Sequence, residues 1–174
     1  MASSVDDIRQ LREETSCGVI ECKKALEESK GDFQKAKEIL RKRGLEMAAK
    51  KADRVATEGR VETYIHTGNK IGVIVEVNCE TDFVARNEDF MKFSRDVAMH
   101  IAALSPIYVK KEDIPADVLI KEMDKDAFAK THCLLLQNYV KDPSKTIGDY
   151  LNELIARIGE NIQIGRFVRF KVGE

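Results

Sequence analysis

No run in this 174-residue chain approaches the roughly 18 to 20 consecutive apolar positions that a membrane-crossing helix needs. Neither sign of charge is in excess: 29 Lys and Arg face 30 Asp and Glu, for a formal net charge of -1. That balance argues against a dedicated nucleic-acid binder, which carries a basic surplus to neutralise phosphates. The four cysteines, Cys17, Cys22, Cys79 and Cys133, contain no CxxC pair, so neither a disulfide framework nor a paired-thiolate zinc site is expected. His66 and His100 stand alone and His132 merely adjoins Cys133, which predicts no metal centre. No GxxxxGKS, GxxxxGKT or GxGxxG occurs among the ten glycines, so the usual phosphate cradles are missing. HExxH and the nucleophile elbow are missing too. Cys79 could be imagined as a nucleophile, but its strand context predicts burial. These absences favour a binding protein over an enzyme, with no cofactor of its own. The start, MASSVDDIRQ, has no basic stretch leading into an apolar one and no Arg-rich, acid-poor transit character, which predicts a cytoplasmic protein.

What is present is ordinary for a globular chain: 43% apolar and 34% charged residues. The length suits one domain, or a small module plus a compact one. Residues 1–50 read as three short amphipathic helices. SVDDIRQLREE places Val5, Ile8 and Leu11 on one face, with Ser3 or Ser4 as N-cap. GVIECKKALEES does the same with Val19, Cys22, Ala25 and Leu26. KGDFQKAKEILRKRG starts at Asp32, turns Phe33, Ala36, Ile39 and Leu40 inward, and is expected to stop at Gly44. Residues 45–59 are charged and Ala-rich, a linker with some helical character, its core at 51–58. Between Lys35 and Arg54 eight basic residues stand against three acidic ones, a solvated helix face or, alternatively, an RNA contact.

After Gly59 the apolar period changes to two. Val61, Thr63 and Ile65 alternate in RVETYIH, and Ile71, Val73, Val75 and Val77 in KIGVIVEVN. The TGN between them signals a hairpin expected to carry one apolar face. Asn87 can cap a helix holding Phe90, Phe93, Val97, Ile101 and Leu104 at helical spacing, long enough to cover that face. PADVLIKEMDKDAFAKTHCLLLQNYV looks helical with a polar centre, and DPSKT reads as a turn. Thr146 and Asp149 resemble a capping box ahead of a stripe of Ile147, Tyr150, Leu151, Leu154, Ile155 and Ile158. IQIGRFVRFKV alternates as a last strand. The fold class is α+β: a three-helix module followed by an antiparallel three-stranded sheet packed with helices, with residues 59–174 as its core domain.

The connection in VNCETDFVARN holds Thr81, Asp82, Phe83 and Val84 where strand gives way to helix. A large ring in an exposed connection must fold back into its own core or enter a partner. The residues alone leave both open, and leave Val19 and Ile20 as core positions and His66 as a polar strand end.

Three collinear stretches, LREETSCGVIECKKALEESKGD, VNCETDFVARNEDF and RIGENIQIGRFVRFKVG, resemble the bacterial elongation factor Ts family in its short, single-core form. AMHIAALSPIYVKKEDIPADVL and DPSKTIGDYL are similar to it as well, and CKKAL and NCETDFVAR are specific motifs. The resemblance implies a ubiquitin-associated-like module at the N-terminus. It implies a guanine nucleotide exchange factor acting on elongation factor Tu, a partner whose GDP it releases. Thr81, Asp82, Phe83 and Val84 would enter beside the nucleotide site and dislocate Mg²⁺, while Arg12, Val19, Ile20 and His66 would dock on the partner. The family often has other apolar residues where this chain has Val19 and Ile20. Short members pair through their sheets, so a homodimer is implied. The chain departs from such relatives in being shorter between Leu119 and Lys141. Two other readings stay open, an adaptor for a ubiquitin-like protein and an RNA binder using Lys35 to Arg54.

Overall fold

Ser4 and Asp7 close the first helix on each other: the Asp7 amide donates to Ser4 Oγ at 3.0 Å, and the Ser4 amide to Asp7 Oδ2 at 3.0 Å. A computed structural model describes residues 4–15 and 17–174; Ser3, the alternative cap, lies outside them. The helix, α1, runs Val5–Thr15, and α2 (Val19–Glu28) and α3 (Phe33–Lys51) follow. The turn between α2 and α3 passes through Lys30 and Gly31, both at positive φ, and Asp32 caps α3 by accepting from the Lys35 amide. Leu11, Cys22, Ala25, Leu26, Ala36 and Leu40 make the core, with Ile8, Phe33 and Ile39 packed around it. Each fully buried leucine contributes about 1.5–3 kcal/mol, so a cluster this small is near the minimum a domain can use. Val5 and Val19 were expected on the inner faces. Both are exposed, because each is the first residue of its helix and lies beyond the reach of the packed stripe.

The third helix does not stop at Gly44. It continues seven residues further through LEMAAKK, and Ala52 caps it. Gly44 does not take the left-handed conformation of a terminating glycine. A Cβ at Gly44 would lie 3.8 Å from Ala156 Cβ and from the Asn152 carbonyl, so its smallness serves close packing instead. The described residues up to Arg54 form one compact unit with Asn152–Asn161, and Val55–Leu151 with Ile162–Glu174 form the other. In the first unit the buried Asn161 amide donates to the carbonyls of Ala52 (3.3 Å) and Arg54 (2.6 Å), and Lys51 Nζ donates to the Gly159 carbonyl. The helical character expected of residues 45–59 extends as far as Lys51, and the chain just beyond it is tied down.

In the second unit β1 (Glu58–Ile65) and β2 (Ile71–Cys79) make the expected hairpin. The turn is closed by Asn69 N–H to the His66 carbonyl, with Gly68 and Asn69 at positive φ. After the one-turn helix α4 (Asp82–Ala85) comes α5 (Glu88–Leu104), capped by Asn87 through the Asp89 and Phe90 amides. Phe90, Phe93, Val97 and Ile101 are fully buried on it. The chain then forms α6 (Ala116–Lys121) and α7 (Lys125–His132), a short pair β3 (Asn138–Tyr139) and β4 (Asp142–Thr146), α8 (Ile147–Ile158) and β5 (Ile162–Lys171). The helical-looking stretch over residues 115–140 is broken into short elements at its polar centre and beyond. Ile114, Ala129 and Cys133 bury a small cluster of their own there, which one straight helix would not gather. DPSKT is strand β4 rather than a turn, and the capping box of Thr146 and Asp149 is present.

The main sheet has the order β1-β2-β5, antiparallel throughout. The hairpin does not carry a single apolar face. Its register pairs Glu62 with Val75 and Tyr64 with Val73, and directly paired residues share a face. Val73, Val75 and Val77 therefore face the core beside Glu62 and Tyr64, whereas Val61 and Ile65 point away with Ile74. The buried Glu62 carboxylate lies 3.0 Å from Arg60 Nη2. A bulge on β5, opposite Glu76, inserts one residue between Ile164 and Phe167. Ile162 and Ile164 are inward before it, and Val168 and Phe170 outward after it.

A polar network crosses the buried side of α5. Asp96 accepts from Lys92 Nζ (2.8 Å), Lys141 Nζ (2.7 Å) and the Tyr150 hydroxyl (3.1 Å). Burial alone would raise its pKa; the ammonium groups of Lys141 and Lys92 outweigh that and hold it low. One turn on, His100 is fully buried. Its Nδ1 accepts the Val140 amide at 3.3 Å, so the neutral ring donates from Nε2 to Gln137 Oε1 at 3.0 Å. Burial pushes the His100 pKa down, partly offset by the Gln137 bond. An unfolded histidine protonates near pH 6.5, so stability held above that pH is lost as the pH falls toward the lower folded-state value. Denaturant titrations at pH 7.5, 6.0 and 5.0 should show this loss, and His100→Gln should remove its onset. Identical slopes in the two proteins would exclude His100 as the group responsible.

Candidate functional site

β2 ends at Cys79, whose thiol donates to the Thr81 carbonyl at 3.1 Å. Thr81 then caps α4, its Oγ1 accepting the Val84 amide at 3.4 Å. The Arg86 amide returns to the Phe83 carbonyl, and the Asn87 amide to that of Val84 at 2.9 Å. Because Asn87 also caps α5, two caps follow one another and leave room for a single helical turn. Phe83 sits on the outside of that turn, 79% exposed. The ring does not fold back into its own core. Asp82 is held 2.9 Å from Arg86 Nη2 across the turn, and Thr81 and Val84 are half-buried beneath it.

His66 lies elsewhere in the same unit. Ile65 pairs with Gly72 at one end of the hairpin and Glu58 with Cys79 at the other. At roughly 3.3 Å per residue, the nine residues of β2 set His66 and the Thr81 turn about 25–30 Å apart. His66 is exposed, with Nδ1 3.1 Å from the Tyr64 hydroxyl.

In the helical unit, Val19 and Ile20 are 53% and 68% exposed, although their spacing favoured the core. Arg43 explains the orientation of α2, reaching Glu28 at 2.7 Å and Glu21 at 3.4 Å. These ion pairs hold the polar flank against α3, Cys22, Ala25 and Leu26 fill the core, and the first two residues are left facing out. Arg12 is exposed on α1. Val19 and Ile20 thus form a small apolar patch on the module.

Cys22, Cys79 and Cys133 are fully buried, and burial raises the thiol pKa of Cys17, Cys22 and Cys133. Such thiols are poor nucleophiles at neutral pH. Among the described residues, no group of three or more His, Cys, Asp or Glu side chains could hold a metal ion, and no helix is long and apolar enough to cross a membrane. Sequence reasoning gave no role to Arg86, although it stands within the NCETDFVAR motif; its spacing of four from Asp82 was the available signal.

The fold and site define an α+β protein that presents one aromatic side chain on a capped turn, together with a helical unit bearing its own apolar patch. A sequence model of the family described as Elongation factor TS matches residues 5–126 and 125–174. The chain is 50% identical over 190 residues to elongation factor Ts of Carboxydothermus hydrogenoformans, covering 96% of this chain and 88% of that protein. It is 48% identical to that of Caldanaerobacter subterraneus subsp. tengcongensis, covering 98% and 97%. With that of Citrifermentans bemidjiense it shares 50% over 197 aligned positions, covering all of this chain and 91% of that protein. The chain belongs to the elongation factor Ts family, and its role is that of a translation elongation factor.

The exposure of Phe83 has a direct thermodynamic consequence. Phe83→Ala should change unfolding free energy by no more than about 0.5 kcal/mol, as surface substitutions do. A phenylalanine buried in its own core would lose about 3–5 kcal/mol on the same truncation. Thermal and denaturant melts of the two proteins decide between them.

Proposed function

We propose that this protein is a guanine nucleotide exchange factor that binds elongation factor Tu in its GDP form and promotes GDP release. The observation that carries this reading is the 79% exposure of Phe83 on a turn capped by Thr81 at its start and closed at its end by the Arg86 amide on the Phe83 carbonyl. A ring held in water has no packing to lose at home and gains burial by entering an apolar crevice. In the partner, Mg²⁺ bridges the nucleotide phosphates to the protein and demands near-ideal octahedral geometry. Small shifts of the elements that support the ion weaken ion and nucleotide together. Phe83 would act as the wedge, Asp82 would add charge and an acceptor nearby, and Thr81 and Val84 would form the base of the turn. The protein is in this reading no enzyme: coupling between sites is reciprocal, so a factor that loosens nucleotide is itself loosened when nucleotide returns.

Docking is assigned to other surfaces. Arg12 and the exposed pair Val19 and Ile20 would hold the partner through the helical module, read as ubiquitin-associated-like over residues 1–50. His66 would touch it from the far end of the hairpin in the core domain, 59–174. A direct nucleic-acid role is disfavoured: Lys37 pairs with Glu14, and Arg43 with Glu21 and Glu28, so part of the basic run is already neutralised. The protein would act in the cytoplasm, without a cofactor.

Catalytic amounts of the protein should speed release of labelled GDP from elongation factor Tu. Unchanged release at micromolar concentration, with both proteins folded, would sink the assignment.

The outward face of the sheet supports a homodimer. Val61, Ile65, Ile74, Val168 and Phe170 are all exposed on it, with the Glu76–Arg166 pair (2.8 Å) beside them. Contiguous apolar surface of this kind marks an association site, and a twofold axis can cover it with the same surface of a second copy. Sedimentation should give a dimer, and Ile74→Glu a monomer with the same circular dichroism. Monomer mass for the unmodified chain at high concentration would count against pairing.

A further inference from the structure

We propose that Arg86 is a positioning residue for the exchange turn, its guanidinium closing α4 from the C-terminal end and aiming both Phe83 and Asp82 before the partner arrives. This rests on reading Thr81 to Val84 as the exchange wedge. A helix of four residues cannot hold itself, because the first turn costs more conformational entropy than its hydrogen bonds return. Local contacts hold α4, among them Thr81 Oγ1 on the Val84 amide, the Arg86 and Asn87 amides on the carbonyls of Phe83 and Val84, and the 2.9 Å pair between Asp82 Oδ2 and Arg86 Nη2. The first two restrain the backbone. The third ties down the Asp82 side chain, and it spans the ends of the turn on which Phe83 is mounted. Its order also suits the turn, with the carboxylate at the N-terminal end and the cation at the C-terminal end, as the aligned peptide dipoles favour.

The surrounding charge points the same way. From Asn78 to Phe90 the sequence holds Glu80, Asp82, Glu88 and Asp89 but a single cation, Arg86. Arg86 is thus the one cation that this stretch can itself offer to Asp82, and the 2.9 Å pair shows that it does so. Both members of the pair are substantially exposed, Arg86 more so than Asp82, so the pair contributes little to global stability. Removing Arg86 therefore disturbs the geometry of the turn and leaves the fold intact.

The test uses the full chain with Arg86→Ala, Arg86→Lys, Asp82→Asn and the double variant Asp82→Asn/Arg86→Ala. Amide hydrogen exchange at Val84 and Asn87 is followed in the protein alone, and release of labelled GDP from elongation factor Tu over a range of factor concentrations. Arg86→Ala should speed exchange of those amides and lower the saturating release rate about two- to fivefold, the range an exposed ion pair supports. The half-saturating concentration should stay nearly constant, and Arg86→Lys should recover most of the loss. In the Asp82→Asn background Arg86→Ala should have little further effect, because one acts through the other. Unchanged amide protection in Arg86→Ala overturns the proposal whatever the release data show. So does a full loss that persists in the Asp82→Asn background, since Arg86 would then touch the partner itself. A wild-type protein that fails to stimulate release overturns the exchange reading, while the amide data still report whether Arg86 sets the turn.

Discussion

The core unit depends on the register of β2, the central strand. Val73, Val75 and Val77 are inward and fully or almost fully buried, and a slip of one residue would turn all three to solvent. Holding them in place forces the rest. Glu62 and Tyr64 must share their face, so an edge strand brings a carboxylate inward and Arg60 accompanies it. The apolar residues of β1 are put on the opposite side, where the β5 bulge adds Val168 and Phe170. The same register ends the strand at Cys79, opposite Glu58, and delivers the chain to Thr81 at that end of the hairpin.

The second constraint is polar. Asp96 and His100 are buried one turn apart on α5, and apart from Lys92 on the same helix their partners named above come from segments distant in sequence: Gln137, Val140, Lys141 and Tyr150. Tyr150 stacks on Tyr139 with centroids 5.2 Å apart and meets Phe93 edge-on at 5.0 Å. A buried carboxylate left without partners is costly. This requirement gives the β3–β4 pair and the start of α8 one arrangement against α5, where apolar packing alone tolerates several. A firmly held α5 in turn holds Asn87, whose side chain caps it and whose amide closes α4. The exposed turn is thus mounted on a helix held by buried polar partners as well as by apolar packing.

Membership of the elongation factor Ts family rests on matches along nearly the whole chain. The alignment with the Citrifermentans bemidjiense protein spans 197 positions against the 174 residues of this chain, so relatives carry residues it lacks. The short α6 and α7 and the small cluster of Ile114, Ala129 and Cys133 show a compact segment following α5.

Much was legible in the residues themselves. The apolar period of 3.6 in α1, α2, α5 and α8, the period of two in β2, and the caps at Ser4, Asp32, Asn87 and Thr146 are local physics, set by neighbours three or four residues away. The motif NCETDFVAR located the turn, and its content named the family. Tertiary structure decided what local pattern leaves degenerate. Alternation in β1 gives two faces without saying which is inward; pairing with β2 chose the one with Glu62. A glycine after an amphipathic stretch can end a helix or lie within it, and packing against Ala156 kept Gly44 inside α3. Isolated in sequence, His100 acquired its role from Gln137 and Val140, which only folding brings near. Whether Phe83, Val19 and Ile20 are core or surface depends on how many side chains reach them from other elements. That is a property of the assembled packing, and no spacing along one element contains it.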